Sequence, residues 1–306
     1  MTSTPTQAAQ APAPVRKPER GLLAGPRFRP GESLFRWLLL GCLAVGVVFL
    51  VALLAYVLVE AWPRLDPRLW ENFPSIRKPE RAGAQSAIFG TLWVIGFTAL
   101  FCLPTGIMAA IYLEEYADPD RWYNRMIELN IQNLAAVPSI IYGILGLGLL
   151  ARQFALGTTV LTAALTLSLL VLPVVIIASR EAIRAVPQSI RHASLALGAT
   201  QWQTVWRQVL PAAVPGMATG SILALSRAIG EAAPVIMLGA VTFVMFNPEG
   251  LQSSYTVLPV QIYNWISQSR EEFHHLAAAA IILLLGILLL MNAAAIWLRN
   301  RYSRRW

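Results

Sequence analysis

Long apolar runs, separated by short polar and basic segments, set the pattern of this chain. A helix needs roughly 20 residues to cross the hydrocarbon layer. Six runs reach that length: about Leu34 to Val59, Ser86 to Leu113, Ile127 to Leu150, Thr158 to Ser179, Val214 to Thr242 and Leu276 to Leu298. The runs lack the ten-residue alternation of barrel strands, so they read as helices. A helix also pairs its own backbone amides, which lipid cannot do for them. The pattern therefore predicts an all-α membrane protein with six transmembrane helices. The first run is too long for the core of a cleaved signal peptide and reads as a retained anchor.

Composition agrees. Residues are 56% hydrophobic and only 13% charged, against about 25% charged in soluble domains. The net charge of +8 sits in the connecting segments and forms no basic patch interleaved with aromatics. Membrane lipids are the expected surroundings, and nucleic acid is not an expected partner. Cys42 and Cys102 both lie inside apolar runs, so they read as small core side chains and no metal spacing is present. Residues 1–33, rich in Ala, Pro and Thr, read as a disordered tail. A peripheral helix follows at 34–60 and a core at 86–298. A basic tail closes the chain at 299–306.

Lys and Arg divide unequally between the two sides. Sixteen fall on the side of the N-terminus and seven on the other, with Arg227 inside a run. That bias places both termini in the cytoplasm.

Arg227 and Glu231 are charges inside the fifth run, four residues apart and so on one helix face. An ionised side chain at the bilayer centre costs about 3 kcal/mol even on lenient scales, so this face must look into protein or water. Two uses fit. The pair can clamp the helix to its neighbours. Alternatively, Arg227 offers its planar fork to a passing oxyanion while Glu231 limits the grip. Glu128, Asn130, Gln132 and Asn133 read as solvated residues at a helix end. His192, His274 and His275 are too poorly placed for an enzyme centre, since adjacent helical positions diverge.

The segment 180–213 is the longest connection on the cytoplasmic side. Glu181 to Val186 reads as helix stopping at Pro187, Ser189 to Leu197 as helix stopping at Gly198, and Gln201 to Leu210 as helix stopping at Pro211. Gly198 is suited to a positive-φ turn. Leu195, Leu197, Trp202 and Trp206 add apolar surface. The loop either lies on the membrane or docks a cytoplasmic partner. The chain has no P-loop, so any ATP-driven role needs an ATPase on another subunit. The short apolar stretch Val257 to Ile266 reads either as an interfacial helix or as one dipping into the bundle.

The 180–213 segment resembles the permease signature of bacterial ABC importers, which runs Glu-Ala-Ala, three residues, Gly, nine residues, Ile, one residue, Leu-Pro. Here Gly198, Leu210 and Pro211 match, and Ala193 holds the first alanine. His192 replaces the glutamate, Ser194 the second alanine and Gln208 the isoleucine. Further stretches resemble the PstA family of phosphate-importer permeases: PTGIMAAIYLEEYA from Pro104, NLAAVPSIIYG from Asn133, LGATQWQTVWRQVLPAAVPG from Leu197, LALSRAIGEAAPV from Leu223, and the segment from Thr256 to Gly286. The resemblance implies the type I importer permease fold, with five core spans after a peripheral one. It implies a PstC-like permease partner, a PstB-like ATPase homodimer holding ATP and Mg, and a PstS-like periplasmic phosphate-binding protein. The chain itself would bind no cofactor and catalyse no reaction. Arg227 and Glu231, with Ser226 beside them, would line the phosphate path. Glu181, His192, Ala193, Ser194, Gly198, Leu210 and Pro211 would couple to the ATPase. The alternative is a permease for another oxyanion, such as phosphonate, sulfate or molybdate.

Overall fold

The computed structural model describes residues 30–118, 120–240 and 243–302. Its secondary structure there is helical throughout. Chain order is α1 (Pro30–Ala61), α2 (Arg68–Glu71), α3 (Gln85–Ile111), α4 (Trp122–Ala136), α5 (Ser139–Leu145), α6 (Val160–Arg184), α7 (Gln188–Ala196), α8 (Gln201–Thr204), α9 (Leu210–Gly230), α10 (Ala233–Met237), α11 (Leu258–Ile266) and α12 (Glu271–Tyr302). Among the described residues, five helical stretches are long and apolar enough to cross a membrane. A bent pair, α4 with α5, makes a sixth. The expected tail over residues 1–33 lies outside the described residues as far as 29, and α1 has already begun at Pro30. Leu34 to Tyr56 of α1 are exposed along their whole length.

Two spans differ from the apolar pattern. The third is not one helix, because α4 and α5 meet at 103°. Pro138 causes the break. Its ring disfavours the α conformation in the preceding residue, and Val137 is extended at φ −68°, ψ 131°. The Tyr142 hydroxyl braces the bend by donating to the Leu134 carbonyl at 2.8 Å.

The fifth span starts earlier and stops sooner than the run from Val214 to Thr242. Helix continues from Gln201 to Gly230, and Thr242 lies outside the described residues. Pro211 does not end it. Proline cannot bond the carbonyl four residues back, here that of Arg207. A π-helical turn over Val205–Val209 spans that carbonyl and absorbs the defect, with the Leu210 N–H bonding Val205 O. The helix then stops at Gly230, where Glu231 turns extended at ψ 98°.

Small residues bring the core helices together. A methyl group on Gly216 would stand 2.8 Å from the Ala182 Cβ, and one on Gly220 would meet Ala178. Thus α6 and α9 run antiparallel in close contact, as expected where dispersion rather than water expulsion drives helix association. One buried cluster joins Val94, Cys102, Leu167, Val171, Ala224, Ala228 and Val260. A second joins Leu69, Leu258, Trp265, Phe273 and Leu276. The stretch Val257 to Ile266 is therefore part of the bundle: Leu258, Gln261 and Trp265 of α11 are buried, and the Leu258 N–H donates to Thr91 Oγ1 at 2.9 Å.

Candidate functional site: an embedded guanidinium and a helical loop

Arg227 belongs to the last turn of α9, and Glu231 lies just beyond it. The sequence placed them mid-helix. They are instead at the end of a helix that stops inside the core. The antiparallel register of Gly216 with Ala182 and Gly220 with Ala178, continued along α9, puts Arg227 level with Val171. That is near the middle of α6, and Val171 shares a buried cluster with Ala224 and Ala228. The helix does not continue past Gly230.

Ala224 and Ala228 are buried in the core, while Leu223 and Arg227, about a quarter turn round the helix from them, are exposed. The Arg227 side chain is 55% exposed and Glu231 19%, with Nε 3.3 Å from Oε1. A cation in the final turn of a helix also faces its negative dipole end. Among the described residues, the guanidinium's hydrogen bond and ion pair both go to Glu231. Ser226 points elsewhere. Its hydroxyl lies 2.7 Å from the Ile222 carbonyl and 2.6 Å from the Asn292 side-chain oxygen, tying α9 to α12. Arg299 adds a second tie, from Nη1 to Thr219 Oγ1 at 2.7 Å. The structure thus brings Arg227 and Glu231 together and turns Ser226 away from them.

The loop forms α7, a turn, and α8 leading into α9. Gly198 has φ +83°, a conformation costing an L side chain roughly 1–2 kcal/mol. Thr200 and Gln203 form a reciprocal capping box at the start of α8. The Ser194 and Thr204 hydroxyls lie 2.9 Å apart and hold α7 against α8. His192 and Ala193 are exposed, and so are Leu195, Leu197, Trp202 and Trp206; Leu197 is 90% exposed. Glu181 is one turn before the end of α6 and pairs with Arg184 at 3.2 Å. Leu210 is buried and Pro211 exposed in the continuous helix, so neither belongs to the outward face of α7.

Behind this loop stands a set of ion pairs that the sequence reading did not single out. Glu114 and Glu115 occupy a π-helical turn, Tyr112–Tyr116, that extends α3. Glu114 pairs with Arg180 at 3.3 Å and Arg184 at 3.0 Å. Arg180 also reaches Glu128 at 2.9 Å, so Glu128 is more than a solvated helix-end residue. Glu115 pairs with Arg191 at 2.6 Å. The available signal was two consecutive glutamates at the close of an apolar run. Among the described residues, no cluster of three or more His, Cys, Asp or Glu is placed to hold a metal ion.

Residues 102–305 match the family described as the binding-protein-dependent transport system inner membrane component. The chain belongs to that family. The match takes in the α6–α9 loop, Arg227 and Glu231 alike. Phosphate transport system permease protein PstA 1 of Mycobacterium tuberculosis (strain CDC 1551 / Oshkosh) is 34% identical over 223 residues, 72% of each chain. Phosphate transport system permease protein PstC 2 of Mycobacterium bovis is 32% identical, over 69% of this chain and 74% of its own. Among solved structures, a bacterial ABC transporter involved in the import of the polysaccharide alginate matches with a TM-score of 0.62. It is 18% identical and covers 90% of this chain and 100% of its own. That likeness is one of fold: this permease has the architecture of an ABC importer membrane subunit.

Proposed function

We propose that this permease is the PstA-type subunit of an ATP-driven phosphate importer, and that Arg227 meets the anion on its way through. The observation that carries the reading is a half-exposed guanidinium level with the middle of α6, on a helix that ends there. Its identity to PstA 1 over most of the core supports phosphate as the solute.

Similarity to both PstA 1 and PstC 2 supports pairing with a homologous PstC-like permease. The face of α9 that carries Leu223 and Arg227 then looks toward that partner, across a shared path. A PstB-like ATPase homodimer docks on the 180–213 loop, with His192, Ala193 and Ser194 of α7 and the Gly198 turn at the contact. Glu181, Leu210 and Pro211 act from the helices on either side. A PstS-like binding protein delivers phosphate on the opposite side. Both termini and the loop are cytoplasmic, following the Lys and Arg bias. The domain scheme keeps a peripheral first helix and a transport core from 86 to 298.

The proposed cycle is alternating access. ATP binding draws the two ATPase subunits together and moves α7. The helices behind it carry that displacement to the path, which opens outward to receive phosphate and inward after hydrolysis. Glu231 keeps Arg227 from holding the anion too tightly, since a permeation site must release what it binds. Ser226 contributes by fixing α9 to α12, so that Arg227 keeps its place.

The test is ATP-dependent uptake in proteoliposomes carrying the complete complex, comparing phosphate with sulfate and molybdate. Phosphate should be taken up in clear preference. Preferential uptake of another oxyanion would replace the substrate assignment while leaving the permease reading intact.

A further inference from the structure

The Glu115–Arg191 pair lies outside both the anion path and the exposed face of the loop. Its side chains are 8% and 11% exposed. Arg191 Nε donates to Glu115 Oε1 at 3.1 Å and Nη2 to the same oxygen at 2.6 Å. Nε also reaches Glu115 Oε2 at 3.4 Å, and two further bonds go to backbone at the end of α6 and just beyond it: Nη1 to Val186 O at 2.6 Å and Nη2 to Ile183 O at 3.0 Å. The backbone carbonyl of Glu115 in turn accepts from the Gln201 side chain, at the first residue of α8. One acidic residue beyond α3 therefore grips both short helices of the loop, one through its carboxylate and one through its carbonyl.

The connection from α6 to α7 makes that grip consequential. Only Ala185, Val186 and Pro187 join the two helices, and Pro187 is extended at φ −57°, ψ 138°, which breaks the helix there. Unbraced, this short link is a hinge, and a push on α7 would be spent in bending it. Bending it with the pair intact requires separating a desolvated, multiply hydrogen-bonded guanidinium from its carboxylate, which low-dielectric surroundings strongly oppose. Glu114 with Arg180 and Arg184 locks α6 to the same π-helical turn.

We infer that Glu115 and Arg191 form a rigid joint that routes the coupling movement of α7 into α3 as well as α6, so that ATP hydrolysis and solute movement stay linked. They are positioning residues: neither touches the solute nor faces the ATPase. The inference rests on the reading of α7 as the ATPase-docking element.

The experiment uses the full complex in proteoliposomes and reads phosphate uptake and ATP hydrolysis together. Glu115→Gln and Arg191→Lys should assemble and hydrolyse ATP while moving about tenfold less phosphate per ATP, within the usual range of coupling energies. An unchanged ratio would overturn the joint, whether both rates hold or fall in proportion. A second variant covers failure to assemble. Glu115→Cys with Arg191→Cys, in a background with Cys42→Ala and Cys102→Ala, is bridged by a short bifunctional thiol reagent. A joint that stays closed predicts restored uptake after bridging, and a joint that opens in each cycle predicts a block. Ala193→Cys cross-linked to the ATPase tests the docking reading separately. Loss of that cross-link with an intact Glu115–Arg191 pair would refute the docking and not the joint's geometry.

Discussion

Arg227 differs from Arg180 and Arg191 in how little of this chain holds it. Arg180 and Arg191 are largely buried against carboxylates and carbonyls, whereas Arg227 has Glu231 at 3.3 Å and is 55% exposed. Hydrogen bonds to charged groups contribute roughly 1.5–3 kcal/mol. Arg227→Ala should therefore lower phosphate uptake by about ten- to a hundredfold, with the complex still recovered whole. Arg227→Lys keeps the charge and loses the planar fork, so its uptake should lie between the two. Uptake assays beside subunit co-purification check this; collapse of the complex would favour the clamp reading instead. The residue scale was partly legible in the sequence. A charge within an apolar run announces itself, and so does a glycine where Gly198 turns. The partnership of Glu115 and Arg191 was hidden, because it joins residues 76 apart and nothing local marks it. Ser226 was grouped with Arg227 by adjacency, but neighbouring helical positions point about 100° apart, and Ser226 faces Asn292.

At the scale of elements, proline interrupts one helix and not another, and the expected stop at Pro211 is absent. Pro138 does break its span, at 103°. Pro173 sits inside α6 and Pro211 follows a π-helical turn, and both helices continue. The difference lies in what can absorb the lost hydrogen bond, which a single sequence does not display. Glycines divide in a similar way. A methyl group on Gly143 would stand 2.7 Å from the Pro234 Cα and 2.9 Å from the Met237 Cβ, where α10 packs on α5, while one on Gly148 would meet nothing within 4 Å. Gly143→Ala should then destabilise by about 1–3 kcal/mol, the usual cost of overpacking, and Gly148→Ala should not. The thermal unfolding midpoints of the two variants, measured in the same detergent, distinguish these outcomes. Equal midpoints would mean that α10 does not seat tightly on α5. Apolar length located the spans well, because lipid enforces it. It could not tell a straight crossing from a bent pair of similar total length, nor place α11, whose nine residues are too few to span.

The whole molecule is a permease core whose helices end or bend partway through, at Pro138 and at Gly230, beside a loop braced by ion pairs. Membership of the binding-protein-dependent permease family explains the combination. Under the proposed function, the loop is the handle for a separate ATPase and the interrupted helices surround the solute. The central claim is that the α9 terminus at Arg227 faces an aqueous passage. Thiol accessibility in the assembled complex tests it most directly, with Cys42→Ala and Cys102→Ala as background. Cysteine placed at position 227 should react with a charged, membrane-impermeant methanethiosulfonate, at a rate that changes when ATP is bound. Cysteine at position 290, on the exposed apolar face of α12, should not react. A cysteine at 227 that resists the charged reagent in every nucleotide state, and yields only to a lipid-soluble maleimide, would contradict the account.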